Sequence, residues 1–389
     1  MILLKYECIL KSTKRFQHQN DFLGLWQINF YSLENINSLK RILTLPKKLT
    51  MKFFSILWIA TIAFFTSCNN KSTGIAENNY FLDTDTAAVK TGGIKMVSIN
   101  TPKGKFNVWT KKFGNNPKIK VLLLHGGPGS SHEYFESFES FLPKEGIEFI
   151  YYDQLGSYLS DKPTDTSLWV TDRFVEEVEQ VRQALHLDSS NFYLLGHSWG
   201  GILAMEYALK YQQNLKGLII SNMMSSCPAY AAYNKNVLQK QMDPKIVDSI
   251  LSFEKENKTA DPLYMNLLMN NYYNKHICRI YPFPEPLNRM FGHTNNQVYT
   301  IMQGPSEFGI SGRLTTWDRT ADLYKIKVPT LVIRGIHDTM DPDFMKMMSE
   351  KLGNGQLVTC PDGSHCSMWD DQPNYFKGLF AFLKSNKKG

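Results

Sequence analysis

The 389-residue chain lacks several features that would have fixed its class at once. Its apolar stretch from Phe53 to Phe65 falls short of the roughly 20 residues a membrane-spanning helix needs. It has few cysteines (Cys8, Cys68, Cys227, Cys278, Cys360 and Cys366). None forms a C-x-x-C pair or a Cys/His spacing of the zinc type, which argues against a metal site. No internal repeat is visible, which excludes solenoids and propellers. A basic stripe is also missing. Residues 1–50 hold eight Lys/Arg against three Asp/Glu and Lys52 adds another, so the formal charge of +7 falls to +1 from Cys68 onward. Little positive charge remains to neutralise phosphates, and no nucleic-acid partner is expected.

What is present begins with a segment that reads as an export signal. Met51-Lys52 precedes the apolar run, and Phe65-Thr66-Ser67-Cys68 follows it. One positive charge, a short hydrophobic region and small residues before a cut site make up a signal peptide. The cysteine after two small residues resembles a bacterial lipobox, in which Cys68 would become the lipidated first residue of an exported, membrane-anchored protein. Residues 1–50 show no domain pattern and read as an upstream extension, residues 51–67 as the lipoprotein signal peptide. Residues 68–90, rich in Asn, Lys, Ser, Thr and Gly, read as a tether. In an exported chain Cys227 can oxidise with Cys278, or Cys360 with Cys366; spacing does not choose between them.

The remaining 300 or so residues suit one large α/β domain with an insertion. Six short apolar runs are candidate buried parallel strands: Val121–Leu124, Phe149–Tyr152, Phe192–Leu195, Leu218–Ile220, Thr330–Ile333 and Gln356–Thr359. Between them lie helical patterns. Over 172–187, Phe174, Val178, Val181 and Leu185 share one face while Glu176, Glu177 and Glu179 point away. Alternation of strand and helix implies a mostly parallel, doubly wound sheet. The rhythm breaks over 223–325, a Met-, Asn-, Tyr- and Lys-rich stretch that reads as a helical cap between core segments 91–222 and 326–389. Such a cap would cover whatever lies at the strand ends.

The most specific feature is Gly196-His197-Ser198-Trp199-Gly200, directly after an apolar strand and directly before a helical pattern. Strand, sharp turn and helix with a serine at the apex make a nucleophile elbow, in which the glycines admit the tight turn and the helix N-terminus favours negative charge. A serine there, rather than an aspartate, excludes epoxide hydrolase and dehalogenase chemistry. A serine nucleophile needs a base, and the base an orienting carboxylate. In α/β hydrolases the chain order is Ser, Asp or Glu, then His. Asp338 closes the strand ending Val332-Ile333-Arg334-Gly335, and His365 follows the next strand in Pro361-Asp362-Gly363-Ser364-His365. Asp341 and Asp343 are rival carboxylates farther into the loop. Backbone donors for an oxyanion are expected from Trp199 and from the loop His125-Gly126-Gly127-Pro128-Gly129.

His125-Gly126-Gly127-Pro128-Gly129, Asp153-Gln154-Leu155-Gly156, the elbow, Gly304-Pro305-Ser306-Glu307-Phe308 and Gly363-Ser364-His365-Cys366-Ser367-Met368-Trp369-Asp370 together resemble the proline iminopeptidase family of α/β hydrolases, the tricorn-interacting aminopeptidases especially. The likeness runs over roughly 95–387. It implies Ser198, Asp338 and His365 as the triad, Gly127 and Trp199 as oxyanion donors, and Glu307 as a cap carboxylate that binds the free α-amino group. A buried glutamate discriminates in this way because a neutral internal amide would leave its charge unpaired. The substrate is then a peptide or amino-acid amide with a free N-terminus, cleaved after its first residue through an acyl-enzyme, with no cofactor. Two departures stand out. Thr339 occupies the place where some relatives carry a second acid, so amino-group binding could be shared with Glu133 or Glu206. Leu155 and Tyr158 replace an arginine and a glycine in the loop after Asp153, which could reshape the pocket. Two rival readings stay open: an amino-acid amidase or esterase on the same scaffold, and a catalytically silent binding lipoprotein.

Overall fold

A computed structural model of the chain describes residues 93–385. The upstream extension, the signal peptide, Cys68 and the tether lie outside the described residues.

One eight-stranded sheet organises the molecule. Its strands are β1 (Ile94–Thr101), β2 (Gly104–Phe113), β3 (Lys120–Leu124), β4 (Glu148–Asp153), β5 (Phe192–His197), β6 (Gly217–Ser221), β7 (Thr330–Gly335) and β8 (Gly355–Cys360). They lie in the order β1-β2-β4-β3-β5-β6-β7-β8. The contacts from β4 to β8 are all parallel, while β1 with β2 and β2 with β4 are antiparallel. Each of the six apolar runs is one of the parallel strands. The physical reason is that such strands, apart from β8 at the sheet edge, are buried on both faces and divide their side chains with period two. Leu122, Leu124, Leu194, Leu218, Ile220 and Val332 feed one core. Val121, Leu123, Leu195, Ile219, Leu331 and Ile333 feed the other.

The first core is closed by α1 (Thr171–Ala184) and α2 (Trp199–Tyr211). In α1, Phe174, Val178 and Val181 face the sheet as periodicity demands. Glu177 and Glu179 do not point to solvent as expected; both are buried. Glu177 pairs with Arg173 and accepts from the Leu155 N–H and the Tyr152 hydroxyl, while Glu179 pairs with Arg182 and accepts from the Tyr207 hydroxyl. Buried carboxylates need such partners. The two arginines stand at i,i+4 and i,i+3 on the helix itself, but Tyr152, Leu155 and Tyr207 come from other elements, which no helical period shows.

Between β6 and β7 the chain forms short helices: α3 (Cys227–Tyr233), α4 (Pro244–Lys255), α5 (Pro262–Leu268), α6 (Glu285–His293) and α7 (Asn296–Met302). Two π-helical turns, Asn234–Leu238 and Met269–Tyr273, interrupt them. The core resumes with β7, then α8 (Pro342–Lys351) on the first face and α9 (Gln372–Ser385) on the second. Among the described residues no helix is long and apolar enough to cross a membrane. Cys227, Cys278, Cys360 and Cys366 are all free and buried, so neither disulfide pairing is present. Burial pushes the Cys227 and Cys278 thiols up to about 12, which keeps them protonated and unreactive.

Candidate active site

Four neighbouring strands, β5 to β8, end on the same edge of the sheet, where sites in open parallel sheets form. The loops after them carry Ser198, Asn222, Asp338 and His365. Ser198 sits between β5 and α2 with φ +56 and ψ −129, a backbone region costly for a side-chain-bearing residue. The surrounding glycines allow it: a Cβ on Gly196 would lie 1.9 Å from the Gly200 carbonyl oxygen, and one on Gly200 2.0 Å from that of Leu124.

The structure brings Asp338 and His365 together. His365 Nδ1 donates to Asp338 Oδ1 at 2.8 Å, and both residues are buried. With Nδ1 engaged, Nε2 is the ring nitrogen left for Ser198, which lines the same cavity as His365. Asp338 is further held by the Asn222 Nδ2–H at 2.8 Å and the Met340 N–H at 3.1 Å. Burial opposes a charged His365, but Asp338, through its charge and its hydrogen bond, together with Glu307, outweighs this and holds the imidazole above its ordinary value. The rival carboxylates are elsewhere: Asp341 caps α8 by accepting the Asp343 N–H, and Asp343 is exposed near Arg334.

The glycine loop after β3 presses on the serine, for a Cβ on Gly126 would come within 3.2 Å of Ser198 Oγ. Gly126 spends its N–H on the Tyr134 hydroxyl. The next N–H along is that of Gly127, whose φ of +106 suits glycine. Trp199 opens α2, where the first N–H groups have no helical acceptor. Gln154 bridges the two: its Oε1 accepts the Trp199 indole N–H at 2.9 Å and its Nε2–H donates to the His125 carbonyl at 2.9 Å. Burial lowers His125 to about 4, so it stays neutral and accepts the Gln154 N–H on Nε2.

A cavity of about 530 Å3 opens in front of Ser198. Its chemistry is mostly apolar, with Met265, Met269, Met290 and Phe291 from the cap along one side, and Glu307 among its few charged groups. Glu307 is fixed through its backbone, donating N–H to the Tyr273 hydroxyl at 3.1 Å and accepting on its carbonyl from Tyr230 at 2.7 Å. Its carboxylate accepts from the Tyr299 hydroxyl at 2.6 Å. Burial raises its pKa even though His365 and Tyr299 pull the other way. A cation entering the cavity would favour its ionised form.

The other acids considered for amino-group binding are spent. Glu133 is paired with Arg289 at 2.6 Å and with His293 at 2.7 Å, and Glu206 with Arg319 at 2.6 Å and the Trp317 indole. Neither lines the cavity. Thr339 is buried with its hydroxyl donating to Asp338, so that position faces the triad loop. The unusual loop residues do not reshape the cavity either. Leu155 lies in the core, and Tyr158 stacks on His293 of the cap at 3.8 Å between ring centres. Sequence reasoning missed Asn222, Tyr134 and Tyr299. Only Asn222 left a signal: a short polar residue just past a strand next to the one that delivers the aspartate. Among the described residues no group of three His, Cys, Asp or Glu side chains is placed to hold a metal.

Residues 120–372 match the family model described as alpha/beta hydrolase fold. A proline iminopeptidase of Flavobacterium johnsoniae is 56% identical over 288 residues, spanning 74% of this chain and 97% of that protein. One from Elizabethkingia meningoseptica is 56% identical over 291 residues, with the same 74% and 97% coverage. The crystal structure of a proline iminopeptidase from Mycobacterium smegmatis superposes with a TM-score of 0.67 at 25% identity, covering 75% of this chain and 98% of that one. With its eight-stranded sheet, its elbow serine and these relatives, the chain belongs to the proline iminopeptidase family of α/β hydrolases.

Proposed function

We propose that this enzyme is a serine aminopeptidase that releases N-terminal proline from peptides through an acyl-enzyme. The observation that carries the reading is that Ser198, His365 and Glu307 line one cavity, with His365 tied to Asp338. His365 Nε2 accepts the Ser198 proton as Oγ attacks the carbonyl carbon of the first residue. The Trp199 and Gly127 N–H groups take the oxyanion. His365 then donates its proton to the leaving amine, and water, activated by the same imidazole, hydrolyses the ester to free proline and Ser198.

Glu307 supplies the exopeptidase restriction. Its ionised form costs free energy in the empty, buried site and is stabilised by the positively charged imino terminus. An internal amide brings no charge and leaves the carboxylate unpaired. Free proline released from a Pro-x dipeptide, followed by chromatography beside Ser198→Ala, tests this reading. Hydrolysis of an N-acetylated prolyl anilide at the same rate as the free one would replace it with an unselective amidase or esterase.

The same proposal extends to location. Residues 51–68 support export and lipidation at Cys68. Metabolic labelling with a fatty-acid analogue is expected to mark the wild type and not Cys68→Ala; equal labelling of both would remove the anchor from the account.

A further inference from the structure

His197, the residue before the nucleophile, is buried and both its ring nitrogens are engaged. Nε2 lies 2.7 Å from the His365 carbonyl oxygen. A carbonyl only accepts, so Nε2 carries the proton and Nδ1 is the acceptor. The Tyr134 hydroxyl, 3.2 Å from Nδ1, must then donate its single proton there. Its oxygen in turn accepts the Gly126 N–H. The direction of every bond follows from the one fixed acceptor at the far end: Gly126 N–H to Tyr134, Tyr134 O–H to His197, His197 Nε2–H to His365.

This chain links three separate segments: the glycine loop after β3, the elbow after β5 and the base loop after β8. It also completes the hold on the His365 backbone, whose N–H donates to the His276 carbonyl at 2.9 Å. Burial drives His197 well below its ordinary value and Tyr134 well above, so neither changes protonation in the working range. A protonated His197 would carry hydrogen on Nδ1 and oppose Tyr134.

We propose that His197 is a positioning residue for the reaction: by gripping the His365 carbonyl from inside the nucleophile elbow, it fixes the distance between base and serine. Tyr134 fixes its tautomer. By occupying the Gly126 N–H, Tyr134 also leaves Gly127 as the glycine-loop donor to the oxyanion. The inference rests on the serine-hydrolase reading but not on the preference for proline.

The test is turnover per active site in the full chain, with sites counted by titration with a fluorophosphonate. A displaced base about 1 Å out of place costs on the order of 100-fold in rate. His197→Phe is therefore expected to lower kcat per titrated site about 100-fold, with KM within about twofold. His197→Gln, whose Nε2–H can reach the same carbonyl, is expected to stay within about threefold of the wild type. Tyr134→Phe loses one hydroxyl and is expected to lower kcat per site about five- to tenfold. A side chain that only fills space would change the fraction of titratable protein and leave kcat per site unmoved. Unchanged kcat per site in His197→Phe overturns the proposal. If that variant does not fold, unchanged kcat per site in Tyr134→Phe overturns it. A wild type that takes up no fluorophosphonate would defeat the serine-hydrolase reading instead.

Discussion

In the sheet, Ser198 and Asp338 follow strands buried on both faces, and His365 follows β8, the half-buried strand at the sheet edge. In the cap, Met265, Met269, Phe291 and Glu307 come from short helices, a π-helical turn and loops. The two regions also meet differently from how the sheet meets its own helices. The sheet is closed by apolar packing on both faces, whereas α6 and α7 add to their buried Leu287, Met290, Val298 and Met302 a set of polar contacts that fasten them to the core. Arg289 and His293 bind Glu133, Tyr158 stacks on His293, and Asn295 donates its N–H to the Gly129 carbonyl at 2.8 Å and its amide to that of Gly156 at 2.8 Å. The cap also leaves large apolar side chains exposed, Leu263 and Met265 on α5 among them. The contrast teaches a division of labour: reacting groups stand where backbone position is fixed by packing, and selecting groups stand where replaceable contacts set the shape.

That division can be broken most severely at the serine. Ser198→Ala is expected to lower kcat/KM for a prolyl anilide by at least about 10^4-fold, with an unchanged thermal melt. Next comes selection. Glu307→Gln is expected to cost about 100-fold in kcat/KM on substrates with a free terminus. Simple acyl esters without an amine should be cleaved at close to the wild-type rate. Equal losses on both substrates would mean that Glu307 serves the chemistry rather than recognition.

A smaller effect is read from pH. His365 must be neutral to accept a proton, and Asp338, Glu307 and Asp370 hold it above 6.5 against burial. Activity on acyl esters should therefore fall as pH drops through a midpoint above 6.5. Glu307→Gln removes one of the negative charges and should move that midpoint to lower pH. A midpoint that stays in place would separate the two regions electrostatically. The smallest effect is expected at the fastening. Arg289→Met leaves the buried Glu133 with His293 and Ser131 only, at a cost of about 1–3 kcal/mol. KM is expected to rise a few-fold with kcat nearly unchanged; a fall in kcat alone would show that the cap also sets the reacting geometry.

The same contrast explains what could be read from the chain. Five of the six parallel strands were legible because burial on both faces leaves a nearly continuous apolar run, the half-buried edge strand β8 only by its shorter Leu357-Val358 pair, and the elbow because strand, glycine turn and helix are local. The β1–β2 hairpin was not. Only Val97, Ile99 and Val108 among its alternating aliphatics are buried, between exposed Lys95, Ser98 and Asn107, so no run forms at this edge. Of the site, Ser198, Asp338 and His365 follow strand ends and share a chain order, so their meeting could be anticipated. Gln154 and Tyr134 act through contacts across 45 and 63 residues of sequence, which no local pattern encodes, and Asn222, which reaches across 116, left only its place just past a strand. The buried Glu177 and Glu179 were misplaced for the same reason: their partners include side chains on other elements.

The most direct test of the account is the ratio of kcat/KM for prolyl anilide to that for its N-acetylated counterpart, measured in the wild type and in Glu307→Gln. The account expects a large ratio in the wild type that collapses toward one in the variant, with hydrolysis in both still dependent on Ser198. A ratio near one in the wild type, or a large ratio that survives Glu307→Gln, would contradict it.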